Sequence, residues 1–184
     1  MMNKGSKKWI TAPVIAAFML LWALPSTAQQ IAVKTNAIAD LAMTPNVGVE
    51  LTVGEKTSLE FGLTGTIIKP WGQNFNTTIG SLQYRYWMPQ RALTQFFVGV
   101  GGKLGSYKLV KEASIHEGDF AVAELVGGWA WPIAKHWNLE FNYGFGLLMR
   151  HQYEMIDAAA SIMPSMKYDI ATTSLGVSVV YIIK

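Results

Sequence analysis

The sequence has no cysteine among its 184 residues, and only 15% of its residues are charged. Without cysteine the chain has no disulfide framework and no thiolate ligands for a metal. It also lacks the spacing of a metal site, a phosphate-binding loop or a dinucleotide fingerprint. The low charge and the absence of long charged runs argue against intrinsic disorder, and the length fits a single domain.

The positive charge is also missing from most of the chain. Lys4, Lys7 and Lys8 account for three of the 15 basic residues, and the remaining 12 basic residues equal the 12 acidic residues in number. A chain without a surplus of cations after residue 28 is not expected to bind nucleic acid, whose phosphates attract basic surfaces. A polybasic membrane-surface protein is excluded on the same ground.

The first 28 residues have the pattern of a secretory signal peptide. A basic region over residues 1–9 precedes an apolar region over residues 10–24, and the small residues Ser26 and Ala28 stand where signal peptidase requires them. The alternative is a membrane anchor, but an apolar run of about 15 residues is short for a span that needs about 20. We predict cleavage after Ala28 and export of residues 29–184.

After residue 28 there is no hydrophobic run long enough for a transmembrane helix, and apolar residues instead recur with period two. In residues 139–147 the odd positions are all Leu, Phe or Tyr, and the even positions are Glu, Asn and Gly. Such alternation predicts β-strands with two different faces. The eight candidate strands cover residues 31–41, 47–53, 59–67, 78–88, 96–106, 120–131, 139–147 and 175–181.

The connections between these strands alternate in length. The first set is short and contains turn-forming residues, at 54–56, 89–94 and 132–136. The second set lies at 44–46, 69–76, 110–119 and 151–166, and three of its four members are long. This asymmetry is typical of outer-membrane barrels, so we predict an all-β fold, an eight-stranded antiparallel transmembrane barrel with its termini at the periplasmic end.

The two faces of the predicted strands suggest which side meets lipid. One face is apolar and aromatic throughout, with rings near the strand ends that resemble an interfacial girdle: Trp131, Trp137 and Tyr181. The other face mixes glycine with charged residues that would fill a narrow interior: Glu50, Glu60, Arg85, Lys103, Glu124 and Glu140. Four acids against two bases would leave water or protonation to cover the excess negative charge.

Two alternatives remain open from the residues themselves. A soluble periplasmic lipid-binding barrel would have the same strands with the apolar face inward. A lipid-modifying outer-membrane enzyme, a hydrolase or an acyltransferase, would need a histidine with a serine or an acid at the barrel rim. His116 and His151, each near acidic residues, are the candidates for such a site, whereas His136 lies in a short turn.

An ordered set of motifs resembles DUF3575, a domain-of-unknown-function family of Bacteroidetes whose members look like small outer-membrane barrels. The motifs are Lys34-Thr35-Asn36, Thr44-Pro45-Asn46-Val47-Gly48-Val49-Glu50, Pro70-Trp71, Tyr84-Arg85-Tyr86-Trp87, Lys135-His136-Trp137-Asn138-Leu139-Glu140 and Val179-Val180-Tyr181-Ile182-Ile183-Lys184. Two departures are Asn76-Thr77-Thr78, where a basic-aromatic pair is usual, and Ala37-Ile38-Ala39, where bulkier residues are usual. The resemblance implies a fold and a location without an activity.

The sequence therefore predicts a non-enzymatic outer-membrane barrel with a side-chain-filled interior and no cofactor. We expect a structural or surface-interaction role, in which the barrel contacts outer-membrane lipid. A protein or surface partner would be met through the predicted extracellular loops at 110–119 and 151–166.

Overall fold

The computed structural model describes residues 30–66, 74–88, 91–111, 114–155 and 165–183. The predicted signal peptide, residues 1–28, lies outside this part of the chain. The described residues form eight antiparallel strands and one short helix, α1 (Ala37–Leu41). The strands are β1 (Ile31–Asn36), β2 (Asn46–Gly54), β3 (Thr57–Gly65), β4 (Asn74–Trp87), β5 (Gln95–Lys111), β6 (Ser114–Ala134), β7 (Trp137–Met155) and β8 (Ser165–Ile182).

The strands pair in sequence order and close into a barrel, because β1 pairs with both β2 and β8. The predicted all-β, eight-stranded antiparallel barrel fold is thereby confirmed. Closure satisfies the backbone groups of strands that would otherwise lie at a sheet edge.

The barrel is strongly sheared. Val33 of β1 pairs with Tyr181 of β8, but following the paired residues from Val33 through β2 to β7 leads to Ile170 of β8. Ile170 and Tyr181 are eleven positions apart, and a bulge in β8 opposite Gly144 and Phe145 supplies one of them. Such a stagger requires strands tilted by roughly 35–45° and gives an eight-stranded barrel an interior that side chains fill.

The strands extend beyond the predicted bounds at the end opposite the short turns, so the predicted bounds of two loops are wrong. β5 continues to Lys111 and β6 begins at Ser114, so most of residues 110–119 belongs to a hairpin. Of residues 151–166, the stretches 151–155 and 165–166 are strand, and residues 156–164 lie outside the described part. The sequence of these extensions does not alternate between apolar and polar residues, so the backbone pairing continues where the period-two pattern has faded.

The first predicted strand, residues 31–41, is also wrong in its second half. β1 ends at Asn36, whose side-chain oxygen accepts hydrogen bonds from the backbone amides of Ile38 and Ala39 and so caps α1. Asparagine at this position favours a helix start over a continued strand. In the sequence, Ala37-Ile38-Ala39 was interpreted as a continuation of the strand, so the helix cap at Asn36 was not recognised.

The barrel wall has unequal height. β1, β2 and β3 have 6, 9 and 9 residues, whereas β5 to β8 have 17 to 21. Helix α1 lies next to β8 above the end of β1. A helix bonds its own backbone and needs no lateral strand partner. Within the described ranges, no helix is long and apolar enough to cross a membrane.

The polarity of the barrel is inverted relative to a soluble protein. The outer face exposes large apolar side chains on every strand, for example Val47, Phe61, Tyr84, Val100, Leu125, Phe145 and Leu175. Most of the buried side chains are polar or charged: Lys34, Glu50, Thr52, Ser58, Gln83, Arg85, Glu124, Asn138, Glu140 and Ser178. A small apolar cluster that includes Trp87, Leu93 and Phe97 closes the interior at the short-turn end.

Candidate functional site: the charged interior

Strand parity directs five ionisable side chains of the lower interior toward one another. Glu50 of β2 and Glu60 of β3 are directly opposite in register, and both belong to the inward-facing set of their strands. Lys34 of β1 lies opposite Gly48, where an added Cβ would stand only 2.8 Å from the Cγ of Lys34. Glycine at this position therefore leaves room for the lysine stem to cross the barrel.

The ammonium of Lys34 binds three carboxylates at once. Its Nζ lies 2.6 Å from Glu50 Oε2, 2.9 Å from Glu60 Oε2 and 2.8 Å from Glu140 Oε2. The side chains of Lys34, Glu50 and Glu140 are each at most 5% exposed. Three donors on one ammonium thus meet three acceptors from β2, β3 and β7, and this joins distant parts of the wall.

Arg85 of β4 binds the same three carboxylates from the other side. Its Nη1 lies 3.0 Å from Glu140 and 3.3 Å from Glu50, and its Nη2 donates to Glu60. Its Nε and Nη2 also donate to Gln83 Oε1, and the guanidinium stacks 4.4 Å above the centre of the Phe97 ring. Arginine suits this position because its planar fork serves several acceptors while its face packs on an aromatic ring.

A second ionic group lies above the first. Lys103 Nζ is 3.2 Å from Glu124 Oε2 and 2.6 Å from both the Thr173 carbonyl and Ser174 Oγ. Thr173 and Ser174 in turn donate to Glu124 at 2.7 and 2.8 Å. Gln83 donates to Glu124 and accepts from Arg85, so its amide connects the two groups.

The six charged residues predicted from the sequence all lie in these two groups, and the structure adds Lys34 to them. Its inward parity on β1 was the available signal, but the alternation over residues 31–41 is weak because alanine occurs at both odd and even positions. With Lys34 included, three cations face four carboxylates, so the two-to-four balance inferred from the sequence is wrong. The excess negative charge that water or a proton must compensate is therefore one, rather than two.

The three aromatic residues named from the sequence lie together on the outer face at the short-turn end. Trp131, Trp137 and Tyr181 are 63%, 44% and 40% exposed, and the rings of Trp137 and Tyr181 are centred 4.9 Å apart. His136 lies beside them, with its Nδ1 3.1 Å from the Ile182 carbonyl.

The other two histidines lie near the long-hairpin end. In the β6–β7 ladder His116 pairs with Glu154 and His151 pairs with Asp119, three pairs further along. Successive positions of a strand alternate between faces, so His116 and His151 occupy positions on opposite faces of the sheet. Among the described residues, no three His, Asp or Glu side chains are grouped so that they could hold a metal ion.

The lower ionic group is buried: Glu50, Arg85 and Glu140 are 0%, 1% and 1% exposed. What the two ionic groups can do chemically is hold all eight strands to one another through ionic hydrogen bonds, because an unpaired buried charge is strongly unfavourable.

Comparison with known proteins now adds to this geometry. A family model described as "Protein of unknown function (DUF3575)" matches residues 14–183. The chain belongs to the DUF3575 family. The match spans all eight strands, and it confirms the resemblance seen in the motifs; the Bacteroidetes origin stays a prediction. No curated protein and no solved structure matches the chain.

Proposed function

We propose that this DUF3575 protein is a small outer-membrane β-barrel with a closed interior and a structural or surface-interaction role at its long-hairpin end. The observation that carries the proposal is the inverted polarity of the wall. Leu125 and Phe145 are half exposed on the outer face, while Glu50 and Arg85 are fully buried. This arrangement is unfavourable in water and favourable in lipid, where exposed apolar side chains lose nothing.

The height of the apolar outer face supports a membrane location. Along β6 the outward positions run from Trp131 to Ala121 before Asp119 begins a polar rung with Ser106 and Thr78. The ten residue intervals from Trp131 to Ala121, each about 3.3 Å long and tilted by about 40°, give the apolar belt a height of about 25 Å. The apolar band of outer-membrane barrels has the same height. The aromatic residues at its lower border match an interfacial girdle.

The interior supports a role other than general diffusion. The two ionic groups and the apolar cluster around Trp87 and Phe97 occupy the lumen of a barrel that is already narrow. An ionic lumen also disfavours the soluble lipid carrier, which would need an apolar interior below an exposed polar wall. With diffusion and lipid carriage disfavoured, the role that we propose is a structural or surface-interaction role through the β5–β6 and β7–β8 hairpins.

The proposal is tested by inserting a protease recognition sequence at either end of the barrel. One variant carries it between Lys111 and Ser114, and a matched variant carries it between Lys135 and His136. We expect both proteins in the outer-membrane fraction, and cleavage by protease added to intact cells only in the first variant. Recovery in the soluble fraction, or cleavage from outside only at 135–136, would contradict the proposed location or orientation.

A further inference from the structure

The upper half of the interior holds a cavity of about 390 Å³, here called the upper cavity. Its base is polar and includes Lys103, Asn142 and Ser174, whereas inward-facing Ile79, Val122 and Leu148 form an apolar wall nearer the long-hairpin end. If this end of the barrel were only a water-filled mouth, its inward-facing residues would be polar rather than apolar. More than half of the lining residues are polar, and the inward-facing apolar residues are concentrated in this wall. A cavity of this size is in the range of small-molecule sites.

The lining of the upper cavity also reaches the outer face of the wall, which makes this place the candidate lateral opening. Besides inward-facing residues, its lining includes Val47 and Leu175, whose side chains are 48% and 64% exposed on the outer face. These two residues lie beside the upper ends of β1 and β2. Ala39 of α1 also lines the cavity at this place. The opening is therefore bordered outside by apolar residues, at a level of the wall that the proposed function assigns to lipid.

The charges around the cavity narrow the chemistry of an occupant. Lys103 is bound by Glu124, Thr173 and Ser174, and Glu60 by Lys34 and Arg85. An anionic head group would find no free cation among the described residues of the lining, because Lys34, Arg85 and Lys103 are each bound to carboxylates. The interior already carries one excess negative charge, and burying an unpaired anion is costly. Asn142 has spare capacity, since its side chain makes a single long hydrogen bond, 3.5 Å to Glu140, among the contacts of the described residues.

We propose that the upper cavity binds an amphipathic molecule with one aliphatic chain and an uncharged hydroxyl or amide head. The molecule enters from the side, between β2 and β8, with its head at Asn142 and its chain against Val122 and Leu148. This inference rests on the proposed membrane location, and it adds a ligand class to it.

The test adds monododecanoylglycerol to the purified barrel in detergent and counts bound molecules by native mass spectrometry. We expect one molecule per barrel, and at least tenfold weaker binding in Leu148→Trp, which fills the cavity from inside. The matched control is Leu147→Trp, one residue away on the outer face, which should bind as the unaltered protein does. Dodecanoate should bind at least tenfold more weakly than the glyceride, and dodecylamine should bind no more tightly than the glyceride does.

Folding is checked on every variant by its migration on an unheated gel, and Ala171→Phe replaces Leu148→Trp if that variant does not fold. Equal binding to the Leu148 and Leu147 variants would overturn the assignment of the cavity. Tighter binding of dodecanoate or dodecylamine would overturn the assignment of the head group. No binding to a folded, membrane-inserted barrel would end this inference and leave the proposed location intact.

Discussion

Replacing Arg85 with methionine is expected to lower the free energy of unfolding by about 3–5 kcal/mol, the usual effect of removing one partner from a buried ionic network. The variant would leave Glu50, Glu60 and Glu140 around Lys34 alone, with net charge of the group falling from −1 to −2. It would also remove the group that stacks on Phe97. The measurement is a denaturant titration of the barrel in lipid vesicles.

Lys103→Met is the matched control for Arg85→Met. Glu124 would keep donors from Gln83, Thr173 and Ser174, so a smaller loss of about 1–3 kcal/mol is expected. Adding Glu60→Gln to Arg85→Met should restore part of the stability by removing one unpaired charge. Equal losses for Arg85 and Lys103, or no recovery in the double variant, would mean that the lower group is not a coupled network.

Placing an arginine on the outer face at Leu125 is expected to destabilise the barrel in a bilayer by about 2–4 kcal/mol, as lipid-facing arginines near the midplane do. Leu125 is 52% exposed and lies within the apolar belt. In water the same change would have little effect, since the side chain is already half exposed. The free energy of unfolding is measured in vesicles.

The control for this prediction is Ser106→Arg, on the same outer face but in the polar rung above the belt. Its expected effect is about 0–1 kcal/mol because it lies near the proposed interface. A large loss of stability in Ser106→Arg, or no loss in Leu125→Arg, would be inconsistent with an apolar belt that includes Leu125 and ends before Ser106.

Most of the fold could be predicted from the period-two pattern, because each strand has two unlike faces. Leu139 to Leu147 alternates so regularly that a register slip would bury every ring and expose Glu140 and Asn142. The same parity directed Arg85 and Glu140 inward before any contact was known. The short turns at 54–56, 89–94 and 132–136 indicated three neighbouring antiparallel pairs, and the alternation of short and long connections predicted the rest of the strand order.

Where the pattern fades, local sequence no longer distinguishes strand from loop. Residues 114–119 show no regular alternation of apolar and polar residues, and their backbone pairs with β5 and β7. Lys34 was missed for a related reason, since residues 31–41 have alanine at both odd and even positions and so do not show which positions face inward. Its role depends on Glu140, 106 positions away, and only barrel closure brings the two together.

The central claim is that the apolar face of a closed barrel meets lipid while the charges lie inside. The most direct test is to express the full chain, purify the barrel from membranes in detergent, and run it on a denaturing gel with and without boiling. A closed membrane barrel resists the detergent of the gel, so the account predicts that the unboiled protein migrates differently from the boiled protein. A single position in both lanes, from a protein that stays in solution without detergent, would contradict it.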